Sequence, residues 1–248
     1  MLLGAIYRQT AAPQGAAGSA SDVFNTTKKA VSSNAINRTL KRYNVPFNQP
    51  DRHPQKTTAA LRLIYSLPNE KRPTLSKALF KAYWVDNRDV ADSEVLRDVA
   101  RQCGVADVRT DGQDLRDTLE TATLNAVARG APGVPSFWIP AEIWTDGNGK
   151  TQHGRLYWGQ DRMHFVEAVL IALNKGIGYE EVSGLGGLQP RCLPSIKATK
   201  PTKLEFYNDF SSPWSFLGWT QLERMKREAG PNLQIELKPF LLGALFRE

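Results

Sequence analysis

At 248 residues, with 41% hydrophobic and 23% charged positions, the chain has an ordinary globular composition and room for one large domain or two small ones. Its net charge of +7 is scattered, with no basic run interleaved with aromatics, which argues against a nucleic-acid-binding face. No apolar run approaches the ~20 residues a membrane span needs. The two cysteines, Cys103 and Cys192, form no CxxC, which argues against dithiol redox chemistry and fits a reducing compartment.

Residues 1–21 lack acids and are rich in alanine and serine, the composition of a targeting peptide. However, Leu2-Leu3-Gly4-Ala5-Ile6-Tyr7-Arg8 nearly repeats Leu241-Leu242-Gly243-Ala244-Leu245-Phe246-Arg247, so the segment reads as part of a fold. Residues 8–23 are small and polar, a loop. A basic helix is expected over 26–43, ending near Asn44-Val45-Pro46, and four more over 57–66, 74–85, 93–103 and 112–129. Cys103 follows Val95, Leu96, Val99 and Ala100 on one face and reads as core, whereas Cys192 lies in a Gly/Pro-rich stretch as an unpaired thiol.

Gly133-Val134-Pro135-Ser136-Phe137-Trp138-Ile139 is a strand entered through proline, whose bond by frequency should be trans, since only ~5–6% of X–Pro bonds are cis. Ile143-Trp144 and Leu156-Tyr157-Trp158 flank Asp146-Gly147-Asn148-Gly149 as a hairpin. Trp158-Gly159-Gln160-Asp161-Arg162 opens a last helix that stops at Gly176. There Asp161 either only complements the helix dipole or binds a cation, and the helix amides suit a carboxylate. Residues 176–203 are linker-like. Leu204, Phe206 and Tyr207 then form a strand, and Ser212-Pro213 starts a helix carrying Trp214, Leu217, Leu222 and Met225. Gly230-Pro231 stops it, and Leu233, Ile235 and Leu237 alternate with polar residues in a half-buried strand.

The stretch FYNDFSSPWSFLGW at 206–219, followed by PFLLGALF, resembles the opening of kappa-class glutathione transferases and the related 2-hydroxychromene-2-carboxylate isomerases. WGQDR at 158–162 and Val45-Pro46-Phe47 resemble later parts of the same family. The resemblance implies an α/β, thioredoxin-like fold of the DsbA-like kind with an inserted helical domain, its two blocks in swapped order. On this reading residues 1–131 hold the LLGA strand end, loop and helical domain, and 132–175 the proline strand, hairpin and last helix. Residues 176–203 are linker, and 204–248 the first strand–helix–strand. A circular permutant explains the near-repeat at the ends, and so does a fragment of a tandem duplicate.

The resemblance further implies that Val134–Pro135 is cis and that Val134 offers its backbone to the cysteinyl part of glutathione. Gln160, Asp161 and Arg162 would hold the γ-glutamyl end, with Lys28 also in the clamp. Ser212 would donate a hydrogen bond to the glutathione thiolate, although plain helix capping also accounts for it; Ser211 is the weaker candidate. Trp214 and Phe216 would wall the site for the electrophile, or simply pack the helix. Val31 and Ala35 depart from the family pattern, standing where Tyr and Asp are expected. The implied activity is glutathione transfer to small electrophiles or peroxides, with glutathione the only cofactor and no metal. The alternatives are an isomerase that uses glutathione as cofactor and a catalytically silent remnant. No nucleic acid or membrane partner is expected. A homodimer and mitochondrial or peroxisomal residence are implied by the resemblance alone, and Phe246-Arg247-Glu248 is no peroxisomal address.

Overall fold

The computed structural model describes Ile6 and residues 23–182 and 197–241. The expectations for the 8–22 loop, for Cys192 and for most of both LLGA segments fall outside these residues. The chain divides into two compact units, Met1–Ser183 and Gly184–Glu248.

The first unit begins with five helices, α1 (Thr26–Arg42), α2 (Thr58–Tyr65), α3 (Arg72–Trp84), α4 (Ser93–Gln102) and α5 (Gln113–Ala128). Local signals set their ends. Asn25 caps α1, its Oδ1 accepting from Lys28 N at 2.8 Å, and Asp92 caps α4 by accepting from Glu94 N at 2.8 Å. Gly104 follows α4 at φ 72°. The helical stripes converge on one core in which Leu63, Leu75 and Leu96 are fully covered, with α2 packed on α3 and α5, and α3 on α4. Cys103, the C-cap of α4, is half-buried and packs at the edge of this cluster and not within it.

A β-hairpin and a helix complete the unit. β1 (Ser136–Thr145) runs antiparallel to β2 (Thr151–Trp158), in register from Ser136 opposite Trp158 to Thr145 opposite Thr151. The pairing is irregular between Ile139 and Ile143, where Pro140 has no N–H to offer the ladder. At the turn the Asp146 carboxylate accepts from the amides of Asn148 and Lys150 and from the Gln152 side chain. These donors hold its pKa below the ordinary aspartate value. A 3₁₀ turn (Gln160–Arg162) leads into α6 (Met163–Lys175), which ends at Gly176 in the left-handed conformation, and a second 3₁₀ turn spans Tyr179–Glu181.

The second unit is a strand–helix–strand arrangement. β3 (Thr202–Asn208) pairs in parallel with β4 (Leu233–Pro239), and α7 (Pro213–Trp219) and α8 (Leu222–Ala229) connect them. The single helix expected from Pro213 past Met225 is therefore two. Thr220 turns its hydroxyl back to Leu217 O at 2.7 Å, and Gln221 N bonds Gly218 O at 3.1 Å, a tight turn that interrupts the α ladder. Gly218 lies against the Phe206 ring, where an added Cβ would sit 3.3 Å from Cε2.

On β4 the expected alternation holds only in part. Leu233 and Ile235 are half-buried, but Leu237 is exposed. Glu236 is itself half-covered, because Lys203 and Lys238 both pair with it. These hydrogen-bonded ammoniums pull its pKa down to about 2. A depressed folded pKa gives stability that is complete above the unfolded glutamate value, roughly 4.3, and is lost as pH falls toward about 2. Glu236→Gln should accordingly differ from wild type in denaturant unfolding at neutral pH and converge with it across that acid window. A constant difference would show that the pair does not titrate with folding.

Candidate functional site

The site-bearing segment of the first unit is the entry to β1 together with the exit from β2. The Val134–Pro135 bond is cis, as the family resemblance implies and frequency alone does not. Three contacts pin it. Ser136 Oγ donates to Gly133 O at 2.7 Å, Gly159 N donates to Pro135 O at 3.0 Å, and Gly133 packs so close to the Trp158 indole that a Cβ would lie 3.3 Å from Nε1. Trp158-Gly159-Gln160-Asp161-Arg162 is thus brought against the proline loop. Val134 is 48% exposed, and among the described residues neither its N–H nor its C=O has a hydrogen-bond partner. Ser136 and Gly159, which tie the segment together, stand inside the quoted motifs without a role of their own in the sequence reading. A Gly after a strand and a Ser after a Pro are too common to signal it.

Asp161 does not sit in the first turn of the last helix. Gly159 adopts φ 100°, and Arg162 N bonds back to Gly159 O at 3.2 Å, so Gln160–Arg162 close a separate 3₁₀ turn before α6. The Asp161 carboxylate folds over Gly159, its Oδ1 lying 2.5 Å from the place a Cβ there would take, and its other oxygen accepts from Arg162 at 2.7 Å. That carboxylate remains 60% exposed and thus accessible to a ligand cation.

Arg162 and Trp158 also border a cleft of about 880 Å³ between the hairpin and α6. Its polar feature is Glu142, 8% exposed, which accepts from Tyr157 Oη at 2.9 and 3.0 Å and from Arg155 at 3.4 Å. Burial, and then the Glu142 carboxylate, push the Tyr157 phenol well above its usual pKa, so it stays protonated and cannot serve as a base at neutral pH. Arg155 lies over the Trp144 ring at 4.4 Å and completes the network. The cluster satisfies a buried carboxylate and braces the hairpin.

Of the remaining sequence candidates, Lys28 belongs to α1 and Ser212, Trp214 and Phe216 belong to the second unit. Lys28 is on α1, its ammonium over the Phe24 ring at 4.1 Å, and Val31 and Ala35 are exposed. No contact among the described residues joins Lys28 to Val134 or Asp161. Ser212 is the N-cap of α7, its Oγ accepting from Ser215 N at 3.2 Å, with Pro213 at the first helical position. Its hydroxyl hydrogen has no acceptor among the described residues, whereas Ser211 spends its own on Asp209 at 2.8 Å. Trp214 and Phe216 are 66% and 62% exposed, so packing within α7 does not cover them. No group of three or more potential ligands for a metal occurs among the described residues.

No curated protein matches the chain. A family model does match: the DSBA-like thioredoxin domain, over residues 8–170, about two thirds of the sequence. With that span and its mixed helices and strands, the chain belongs to the DSBA-like thioredoxin domain family.

Proposed function

We propose that this protein is a glutathione-dependent transferase of kappa type that stabilises the glutathione thiolate for attack on small electrophiles, its thioredoxin-like blocks standing in swapped order. The observation that carries the reading is Val134: an exposed residue with a backbone donor and acceptor both unpaired, stitched to a turn bearing an accessible carboxylate. A peptide ligand with a free amine suits that combination, and glutathione is one. Val134 is assigned the cysteinyl backbone, Gln160, Asp161 and Arg162 the γ-glutamyl end, and Ser212 the sulfur. The thiolate then forms the C–S bond as the leaving group departs with its electrons. The lack of a CxxC motif supports transfer over dithiol exchange. The parallel strand–helix–strand at 202–239, C-terminal to the family match, supports the swapped order.

The test is thermal unfolding with added glutathione, together with product analysis on a chloronitrobenzene. Glutathione should raise the midpoint, because it binds only the folded state, and a thioether should form. An unchanged midpoint would overturn the proposal. Glutathione recovered intact alongside a rearranged chromene substrate would place the protein with the isomerases instead.

Asp161→Asn supplies a finer prediction. Loss of a charge-assisted bond to the ligand amine, worth ~1.5–3 kcal/mol, should weaken glutathione binding roughly tenfold to hundredfold. Binding of an analogue lacking that amine should barely change. Equal losses for both ligands would show that Asp161 only braces Arg162.

A further inference from the structure

We propose that the groove between α1 and α3 binds a small amphiphilic anion, a fatty carboxylate, at a site sharing no residue with the set assigned to glutathione. Helix α1 carries Lys28, Lys29, Arg38, Lys41 and Arg42, with no acid and no buried residue along its whole length. A helix with no fully buried residue and only positive charge keeps much of its surface unpartnered. One row of that face, Lys29, Ser32, Ile36 and Leu40, borders a groove of about 850 Å³ together with Phe80 and Lys77 of α3. At 1.5 Å per residue, the stretch from Lys29 to Leu40 gives the groove a length of roughly 16 Å. Ile36 and Phe80 are 55% and 67% exposed although both line it. Trp84 and Phe47 are half-buried there, their rings stacked with centroids 5.8 Å apart. The interior therefore offers apolar surface that the protein itself leaves wet.

The charge at this groove selects the occupant. No carboxylate lines it. Of its three lysines, Lys81 is neutralised by Asp86 at 2.6 Å, while Lys29 and Lys77 enter no ion pair among the described residues. A neutral hydrocarbon would leave both ammoniums unused, and a compact anion would leave the apolar length empty. A chain with one carboxylate satisfies both.

The experiment is calorimetric titration of the full chain with dodecanoate below its micellar concentration, set against octanoate and the neutral methyl ester of dodecanoate. Dodecanoate should bind saturably with one site, and octanoate at least about tenfold more weakly, because fewer methylenes are buried. The double variant Lys29→Glu/Lys77→Glu should lose roughly tenfold or more for dodecanoate and less than about twofold for the ester. Phe80→Ser should weaken both ligands. All three positions are exposed, so these variants keep the fold. Absence of saturable binding, equal affinity in the lysine double variant, or equal loss for acid and ester would each overturn the assignment. So would binding to anionic vesicles that dodecanoate fails to displace, since that would make α1 a surface-adsorbing helix.

Discussion

Ser212→Ala is expected to slow glutathione conjugation roughly 10²–10³-fold, the usual cost of removing one donor to a developing or bound anion, while glutathione affinity falls far less. The cap geometry makes the experiment more discriminating. Ser212 Oγ accepts from Ser215 N, so alanine also removes a helix cap, a loss of about 1 kcal/mol that lowers stability without touching chemistry. Ser212→Asn separates the two roles, because asparagine caps as well as serine but brings no hydroxyl. If the hydroxyl hydrogen serves sulfur, both variants are inactive and only the alanine variant melts early. If Ser212 is a cap alone, the asparagine variant keeps full turnover. Ser211 offers no rescue in either case, since its hydroxyl is committed to Asp209.

The largest stability effect is expected at Gly154. It lies in β2 at φ 76°, and an added Cβ would stand 2.1 Å from Trp138 Cζ2 and 2.5 Å from Cη2. Its carbonyl also accepts from Trp144 Nε1 at 3.1 Å, so the backbone cannot retreat without breaking that bond. Left-handed strain of ~1–3 kcal/mol adds to overpacking of a similar size, and Gly154→Ala should lose roughly 2–5 kcal/mol of unfolding free energy. Gly147, in the hairpin turn with nothing near its Cβ position, is the control, and Gly147→Ala should stay within ~0.5 kcal/mol of wild type. Equal, small changes in urea unfolding would refute the packing of Trp138 on Gly154.

These positions also mark what the sequence conveys. Elements governed by local chemistry are legible: Asp146-Gly147-Asn148-Gly149 in the hairpin, and Ser212-Pro213 at α7. Features that depend on tertiary partners are not. Thr220 sits in a helical pattern, yet its hydroxyl and the tight turn at Gln221 split the helix. Asp161 reads as a first-turn acid, but the backbone at Gly159 takes it out of α6. Glu142 carries no sign of burial in the sequence, and only the pairing of the strands brings Tyr157 and Arg155 over it. Ile36 and Phe80 belong to different helices, and only the fold places them along one groove. The cis bond at Pro135 follows from the family resemblance and not from the local sequence, and the cis bond at His53–Pro54 has no signal in the sequence.

Glutathione bound to this chain is expected to carry its sulfur as a thiolate. The most direct measurement is the ultraviolet thiolate absorbance of protein-bound glutathione as a function of pH, for wild type and for Ser212→Ala. A hydrogen bond to the charged form lowers a pKa, so the bound thiol should titrate well below the ordinary cysteine value, about 8.5, and return toward it in the variant. A bound thiol that titrates in the ordinary range in wild type, or identically in the two proteins, would contradict the account.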